Sequence, residues 1–280
     1  MDATNERIPI ETGTEDLLGH RVGHVAVLTF NRPERRNALS AGIYAGFERA
    51  LPTIANDPDI RVVLLTGAGS AFCSGGDVKA MNERNSASPG SQPSVEAKIA
   101  DLRRRQRQVS LTLRQLPQPV VAALPGAAAG AGFSIALAAD LRVAAERAVL
   151  VTAFSGVGGS GDFGGSWFLT QLVGSAKARE LYYLSPRLTA AEAMELGLVN
   201  RVMADDGFAE EAMAFCQTLA GRAPIALRYM KENINRAEIA DLPTALDAEA
   251  PAMVRSMSTE DHKEAAAAFV EKRNAVFHGS

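Results

Sequence analysis

Two glycine-rich breaks, Ser74-Gly75-Gly76-Asp77 and Gly126-Ala127-Ala128-Ala129-Gly130-Ala131-Gly132, each follow an apolar strand-like run and each lead into a helix-like one. The first comes after Val62-Val63-Leu64-Leu65-Thr66 and the second after Val120-Val121-Ala122-Ala123-Leu124. Without a Cβ in the way, the main chain at a glycine can come close to a ligand and present its N–H groups to an anion. Set side by side, two such turns would aim two N–H groups at one oxygen. That is an oxyanion hole, which stabilises charge developing on a carbonyl oxygen. Taken singly, either turn is as well explained as a tight strand-to-helix connection.

The elements that must position these turns follow from periodicity. His24–Phe30, Arg61–Thr66, Val120–Leu124, Leu141–Ala144 and Val149–Thr152 read as strands, with helices expected near 41–55, 97–115 and 131–139. Strands alternating with helices predict an α/β fold with a largely parallel sheet. The stretch 82–94, rich in Ser, Pro, Gly and Asn, breaks the pattern and reads as a mobile loop beside the first glycine turn, placed to act as a lid. After Asp206 the strand signals stop, and helices are expected near 207–221, 224–237, 243–256 and 259–275. The division that follows is a core over 1–205 and a helical region over 206–280.

Composition sets the outer limits. At 280 residues, 47% hydrophobic and 22% charged, the chain can bury a substantial core and has the make-up of an ordinary globular protein. No apolar run reaches membrane-spanning length, and Met1-Asp2-Ala3-Thr4-Asn5-Glu6 lacks the basic and apolar parts of a secretory signal, so the cytoplasm is the expected compartment. Cys73 and Cys216 lie far apart without metal-ligand spacing, which suggests neither a disulfide framework nor a metal site. A net charge of −3 argues against general nucleic-acid binding but leaves room for a polyanionic ligand at a local cluster such as Arg32, Arg35 and Arg36.

Several segments in order resemble the crotonase, or enoyl-CoA hydratase/isomerase, superfamily. They are Asn31-Arg32-Pro33 with Asn37-Ala38-Leu39-Ser40, Ala71 through Lys79, Pro125 through Asp140, Gly161 through Trp167, and Thr189-Ala190-Ala191-Glu192-Ala193 with Gly197-Leu198-Val199. The resemblance covers roughly residues 20 to 275. It implies a spiral of ββα repeats followed by a C-terminal helical region that assembles homotrimers, often paired as hexamers. It also implies an acyl-CoA substrate in which coenzyme A enters as part of the thioester, with no separate cofactor and no metal, nucleic acid or membrane partner.

On the family pattern, the oxyanion-hole amides fall on Gly76 and Ala131. The amide does the chemistry, so alanine is acceptable there. Family hydratases carry one glutamate shortly after the glycine triplet and a second about twenty residues on; this chain has Ser134 and Phe154 at those positions. Serine without a neighbouring base is a poor general base, and phenylalanine transfers no proton. His20, His24, His262 and His278 lie outside the signature segments and form no recognisable triad. Some family isomerases, and the family's aryl-CoA dehalogenases, carry an acid where this chain has Asp162. In an apolar pocket with a raised pKa, that carboxylate could take a proton from one carbon of an enoyl thioester and return it two carbons away. The competing explanation makes Asp162 an N-cap for Ser166–Leu172.

The resemblance further implies thioester and CoA contacts at Arg36, Ala38, Ser74, Gly76, Asp77, Val78, Lys79, Ser134, Phe154, Trp167, Phe269 and Lys272. Plainer explanations stand beside several of these: a core role for Trp167, a helix-carbonyl bond for Ser134, solvation for Lys79 and an amphipathic helix for Phe269 and Lys272. Asp140 matches a common family position and reads as structural. The expected activity is double-bond isomerisation. The alternatives are hydration, isomerisation of a ring epoxide on an aromatic-derived acyl-CoA, a dehalogenase-like hydrolysis through Asp162, and acyl-CoA binding without catalysis. The first of these aromatic readings rests on Asp162-Phe163-Gly164-Gly165-Ser166-Trp167, which resembles the family's ring-epoxide isomerases.

Overall fold

The computed structural model describes residues 6–77 and 93–280. Strands β1 (Arg7–Pro9), β2 (Leu17–Val22) and β3 (Val25–Phe30) form an antiparallel meander. Helix α1 (Ala41–Asn56) then carries the chain over to β4 (Val62–Gly67), which lies parallel to β3. From β4 onward one unit repeats: a strand in a large sheet, a short strand in a small sheet, then a helix. β4 and β5 (Ala71–Cys73) precede α2 (Val95–Gln106), which runs on through a π-turn at Arg107–Leu111 into a helical turn at Thr112–Gln115. β6 (Val120–Leu124) and β7 (Ala127–Ala129) precede α3 (Ala131–Ala138), and β8 (Leu141–Ala145) and β9 (Val149–Val151) precede α4 (Gly165–Leu184). Gly174, at φ 73°, interrupts α4. After β10 (Leu188–Thr189), α5 (Ala190–Glu195) and β11 (Arg201–Met203) come four helices: α6 (Phe208–Ala220), α7 (Pro224–Ala237), α8 (Leu242–Met257) and α9 (Glu260–Glu271).

Among the described residues the large sheet has the order β1-β2-β3-β4-β6-β8-β11 and the small one β10-β9-β7-β5. The pairs β4–β6, β6–β8, β5–β7 and β7–β9 are all parallel, so successive units stack as the ββα spiral that the resemblance implies.

Strands β3, β4, β6 and β8 were legible because the centre of the large sheet is covered on both faces, which turns those strands into continuous apolar runs. Ala26, Leu28, Phe30, Val63, Leu65, Val120, Ala122 and Leu124 face the core shared with α1 and α3. The alternate residues Val25, Val27, Val62, Leu64, Val121, Ala123, Val143 and Ala145 face the other side, where Phe208, Ala212 and Cys216 of α6 cover them. Helix α6 is therefore part of the core, although it begins within the region read as separate and helical. The Thr189-Ala190-Ala191-Glu192 motif is a capping box: the Glu192 N–H donates to Thr189 Oγ1 at 3.2 Å and the Thr189 N–H to Glu192 Oε2 at 2.8 Å.

Among the strands that were not expected, β1, β2, β5, β7, β10 and β11, two lie at the glycine breaks. The first glycine break directly follows β5 rather than β4, and β7 forms inside the second break. Each run is only three residues long and alanine is a poor strand former, so pairing across the small sheet is what makes them strands.

Helix α7 is held to the core by a buried charge. Lys231, 7% exposed, places its Nζ 2.7 Å from Asp140 Oδ2 and donates to the carbonyls of Gln118 (3.0 Å) and Leu113 (3.3 Å). Asp140 Oδ2 also accepts the Val120 N–H at 2.7 Å. The aspartate thus ties the start of β6 to α7, and its structural reading holds. Removing one partner of a buried pair strands the other, so Lys231→Met is expected to cost about 3 kcal/mol of unfolding free energy. Equilibrium urea unfolding checks this; a loss well under 1 kcal/mol would mean that the pair is effectively solvated.

Candidate active site

Because β5 and β7 are parallel neighbours, paired as Ala71 with Ala127 and Cys73 with Ala128, the chain leaves both strands in the same direction. The two glycine turns therefore meet. Gly75 has φ 83°, and a Cβ on it would lie 2.6 Å from the Ala129 oxygen and 3.0 Å from the Ala131 nitrogen. A Cβ on Gly132 would lie 2.3 Å from the Cys73 oxygen. Only glycine permits this approach. Among the described residues the Gly76 N–H donates to no carbonyl. Ala131 opens α3, so its N–H has no partner within the helix and sits at the positive end of the helix dipole.

The loop over 31–40 is woven onto the first turn. Leu39 bridges to Gly76, its N–H donating to the Gly75 oxygen at 2.8 Å, and the Ser74 N–H donates to the Arg36 oxygen at 3.0 Å. Asn37 is fully buried with φ 57°. It accepts the Arg32 N–H at 2.9 Å and donates through Nδ2 to the Ala68 and Ala71 oxygens at 3.0 and 2.8 Å. Arg32 in turn donates to the Ala38 oxygen at 2.7 Å and lies 3.7 Å from Asp77 Oδ2. Arg36, Ala38, Ser74, Gly76 and Asp77 are thus brought together. Ala38 is buried, Arg36 is exposed, and the Ser74 hydroxyl donates weakly to the Arg35 oxygen at 3.4 Å. Val78, Lys79 and nearly all of the expected lid, 82–92, lie outside the described residues.

Asp162 does not cap α4. The capping residue is Gly164, no side-chain cap bond forms, and Asp162 contributes only its carbonyl, which accepts the Gly165 N–H at 3.1 Å. Its side chain instead turns inward, with Oδ1 buried and without a hydrogen-bond partner among the described residues. Burial pushes this carboxyl up to about 6. The following residue, Phe163, is buried at φ 52°, a conformation costly for an aromatic residue and of the kind that collects at functional sites. Its N–H is held by Gln106 Oε1 of α2 at 2.8 Å, and its ring stacks on Tyr44 of α1 with centroids 6.1 Å apart.

Two phenols lie close enough to Asp162 to feel its charge. Tyr44 and Tyr182 are each pushed up to about 12, mainly by burial, with the carboxylate adding to the rise; the Arg105 guanidinium, 4.6 Å above the Tyr44 ring, opposes it there. The two positions that carry glutamate in family hydratases have other work. The Ser134 hydroxyl donates to the Gly130 oxygen at 3.3 Å, and the Phe154 ring stacks on Tyr182 at 5.7 Å and passes close to Gly130. Tyr44, Arg105 and Tyr182 carry no motif signal, since each reaches the site from a helix remote in sequence.

Trp167 is 38% exposed rather than core. It packs edge-on against Phe168 at 5.1 Å and lines a groove of about 430 Å³ with Arg107, Arg114, Ser110 and Phe163. Phe269, 86% exposed, and Lys272 stand on the surface at the end of α9, which packs on α8. Among the described residues nothing brings them to the glycine turns. No helix among the described residues is long and apolar enough to cross a membrane.

Comparison with known proteins fits this geometry. Residues 20–280 match the family model described as enoyl-CoA hydratase/isomerase. The chain is 38% identical over 269 residues to 1,2-epoxyphenylacetyl-CoA isomerase of Escherichia coli, covering 95% of this chain and 99% of that protein. It is 35% identical over 252 residues to short-chain-enoyl-CoA hydratase of Clostridium acetobutylicum, covering 90% and 93% respectively. Among solved structures, an enoyl-CoA hydratase from a Polaromonas species superposes with a TM-score of 0.85 at 38% identity, covering 93% of this chain and 99% of that one. With its apposed glycine turns, its ββα spiral and a family match over nearly its whole length, the chain belongs to the enoyl-CoA hydratase/isomerase family of acyl-CoA enzymes.

Proposed function

We propose that this chain shifts a double bond in an enoyl-CoA, with Asp162 as the acid–base group and the Gly76 and Ala131 amides as the oxyanion hole. The observation that carries this reading is the Asp162 carboxyl, buried, unpartnered at Oδ1 and held near pKa 6, in a site where Ser134 and Phe154 replace both hydratase glutamates. The thioester oxygen accepts the two N–H groups, which lowers the cost of ionising a neighbouring C–H; one such donor is worth about 3 kcal/mol. Asp162 takes that proton, and the enolate charge rests at the amides. The proton then returns two carbons away. The cycle restores the carboxylate and leaves the atom count of the acyl group unchanged, so it consumes no co-substrate.

In this reading the CoA portion runs along the 31–40 loop, where exposed Arg35 and Arg36 supply positive charge for its phosphates. The apolar side chains left exposed on α7 to α9 and their connections, among them Ile234, Ile239, Leu242, Val254 and Phe269, are covered by further copies of the chain in a trimer or dimer of trimers. A second reading, isomerisation of an epoxide on an aromatic-derived acyl group, is favoured by the ring faces of Tyr44, Phe154, Phe163 and Tyr182 around the carboxylate and by the name of the Escherichia coli relative.

A panel of 2-enoyl-, 3-enoyl- and ring-epoxide acyl-CoA thioesters, followed by mass and ultraviolet absorbance, tests the assignment. Unchanged mass with a moved double bond is expected, whereas gain of water would mark a hydratase. Asp162→Asn should lower isomerisation by about two to four orders of magnitude. The wild-type rate should rise with pH through about 6 and then level off, because the protonated carboxyl cannot accept a proton.

The same carboxyl makes a prediction for stability. Its folded-state pKa lies above the unfolded value, so the cost of burying its charge is absent below about pH 4, grows up to about 6 and is constant above. Asp162→Asn should therefore stabilise the fold by about 2 kcal/mol at pH 8 and by almost nothing at acid pH, measured by thermal unfolding at the two pH values. A helix-capping role would give the opposite sign. For assembly, light scattering at micromolar concentration should give three or six times the chain mass; a monomer would contradict it.

A further inference from the structure

Positive charge on α2 and its continuation is sorted by face. Arg104 and Arg105 lie 2.8 and 2.6 Å from the Asp101 carboxylate, and Arg114 lies 2.5 Å from Glu238. Arg103 and Arg107, by contrast, make no ion pair and no side-chain hydrogen bond among the described residues. Four positions apart, they stand on one face of the helix, and both border the groove of about 430 Å³ that Trp167 lines.

The rest of that groove is of two kinds. Leu111, Phe163, Trp167 and Phe168 give it apolar walls, and among the described residues no acidic side chain borders it. Between the walls lies Ser110, only 5% exposed, whose Oγ has no hydrogen-bond partner among the described residues. Buried hydroxyls in folded proteins nearly always have one, so this orphan calls for an acceptor that binds. Arg107, Ser110 and Leu111 all belong to the π-turn, a distortion of the helix that is rare in general and frequent at functional sites. The volume falls in the range of about 300–1,000 Å³ usual for small-molecule pockets.

We propose that this groove is a second binding site, for a free carboxylate with an alkyl or aromatic body, held through its oxygens by Arg103, Arg107 and the Ser110 hydroxyl and through its body by Trp167 and Leu111. Guanidinium groups suit a carboxylate because their N–H donors match its two oxygens. A bare inorganic anion would leave the apolar walls uncovered, and a neutral hydrocarbon would leave the cations and the hydroxyl unanswered. Only an anion with an apolar body meets both. The ligand enters from solvent rather than as the acyl part of a thioester, since neither glycine turn nor Asp162 borders the groove. The site is therefore independent of which reaction the carboxylate of Asp162 serves.

Trp167 is the one tryptophan of the chain, so its fluorescence reports on this groove. Titration of the whole protein with octanoate and with 4-phenylbutyrate should change that emission saturably, with half-saturation for at least one acid below about 1 mM. The matching amides, octanamide and 4-phenylbutyramide, should bind at least about tenfold more weakly, because they lack the charge. Arg103→Gln combined with Arg107→Gln should weaken the acid by about tenfold and leave the amide within about twofold. Both arginines are exposed, so the fold should tolerate the change. Saturating butyryl-CoA should leave the affinity for the acid within about twofold. Four results would each overturn the site: no saturable change in emission, as a groove closed by a neighbouring copy of the chain would give; equal affinity for acid and amide; an acid affinity unchanged in the double variant; or displacement of the acid by butyryl-CoA, which would put it in the acyl pocket instead.

Discussion

Everything at this site depends on the close parallel apposition of β5 and β7. Two strands of three residues each would be negligible in isolation, yet their pairing sends two turns off the same edge of the small sheet and into contact. The approach is so close that a methyl group on Gly75 or Gly132 would strike backbone oxygen. Glycine at these positions is therefore a requirement of two backbones meeting, and the turns that carry Gly76 and Ala131 become neighbours as a consequence. The buried Asn37 extends the constraint outward by fastening the 31–40 loop to the end of β4 and to β5.

The carboxylate is governed by a different balance. Leaving Asp162 Oδ1 unpartnered in a buried position costs stability, and the cost appears as a proton affinity raised to about 6. In the proposed reaction that value suits a group that accepts and returns a proton near neutrality. Aromatic side chains provide the dry surroundings: Phe163 stacks on Tyr44, and Phe154 stacks on Tyr182. The strained backbone of Phe163 and the hydrogen bond from its N–H to Gln106 hold the neighbouring carboxylate inward, so α2 takes part in aiming it.

Further out, charge does the fastening that apolar packing does within the spiral. Lys231 and Asp140 join α7 to the edge of β6, and Arg114 of the α2 continuation lies 3.9 Å from the same aspartate. Helix α6, by contrast, is held by apolar burial against the large sheet. The long helices at the end of the chain thus divide into one that completes the core and three that leave apolar side chains at the surface.

By itself the sequence determined β3, β4, β6 and β8 of the large sheet, because strands buried on both faces are written as unbroken apolar runs, and most of the helices, because amphipathic periods and capping residues are local; the outer strands β1, β2 and β11 carry no such run. It also determined the family, since its motifs are short and contiguous. It marked Asp162 as a candidate but left it balanced between base and cap, and that balance turns on whether the side chain points toward α4 or away from it. Strands β5 and β7 were not legible, since each is only three residues long and the pairing that joins them links positions more than fifty residues apart in the chain. Nor was the frame around the carboxylate, where Tyr44 arrives from α1, Arg105 and Gln106 from α2, and Tyr182 from the far end of α4. Only tertiary structure brings those side chains together, because the distances that matter to a buried charge are set by packing between elements and leave no trace in the spacing of residues along the chain.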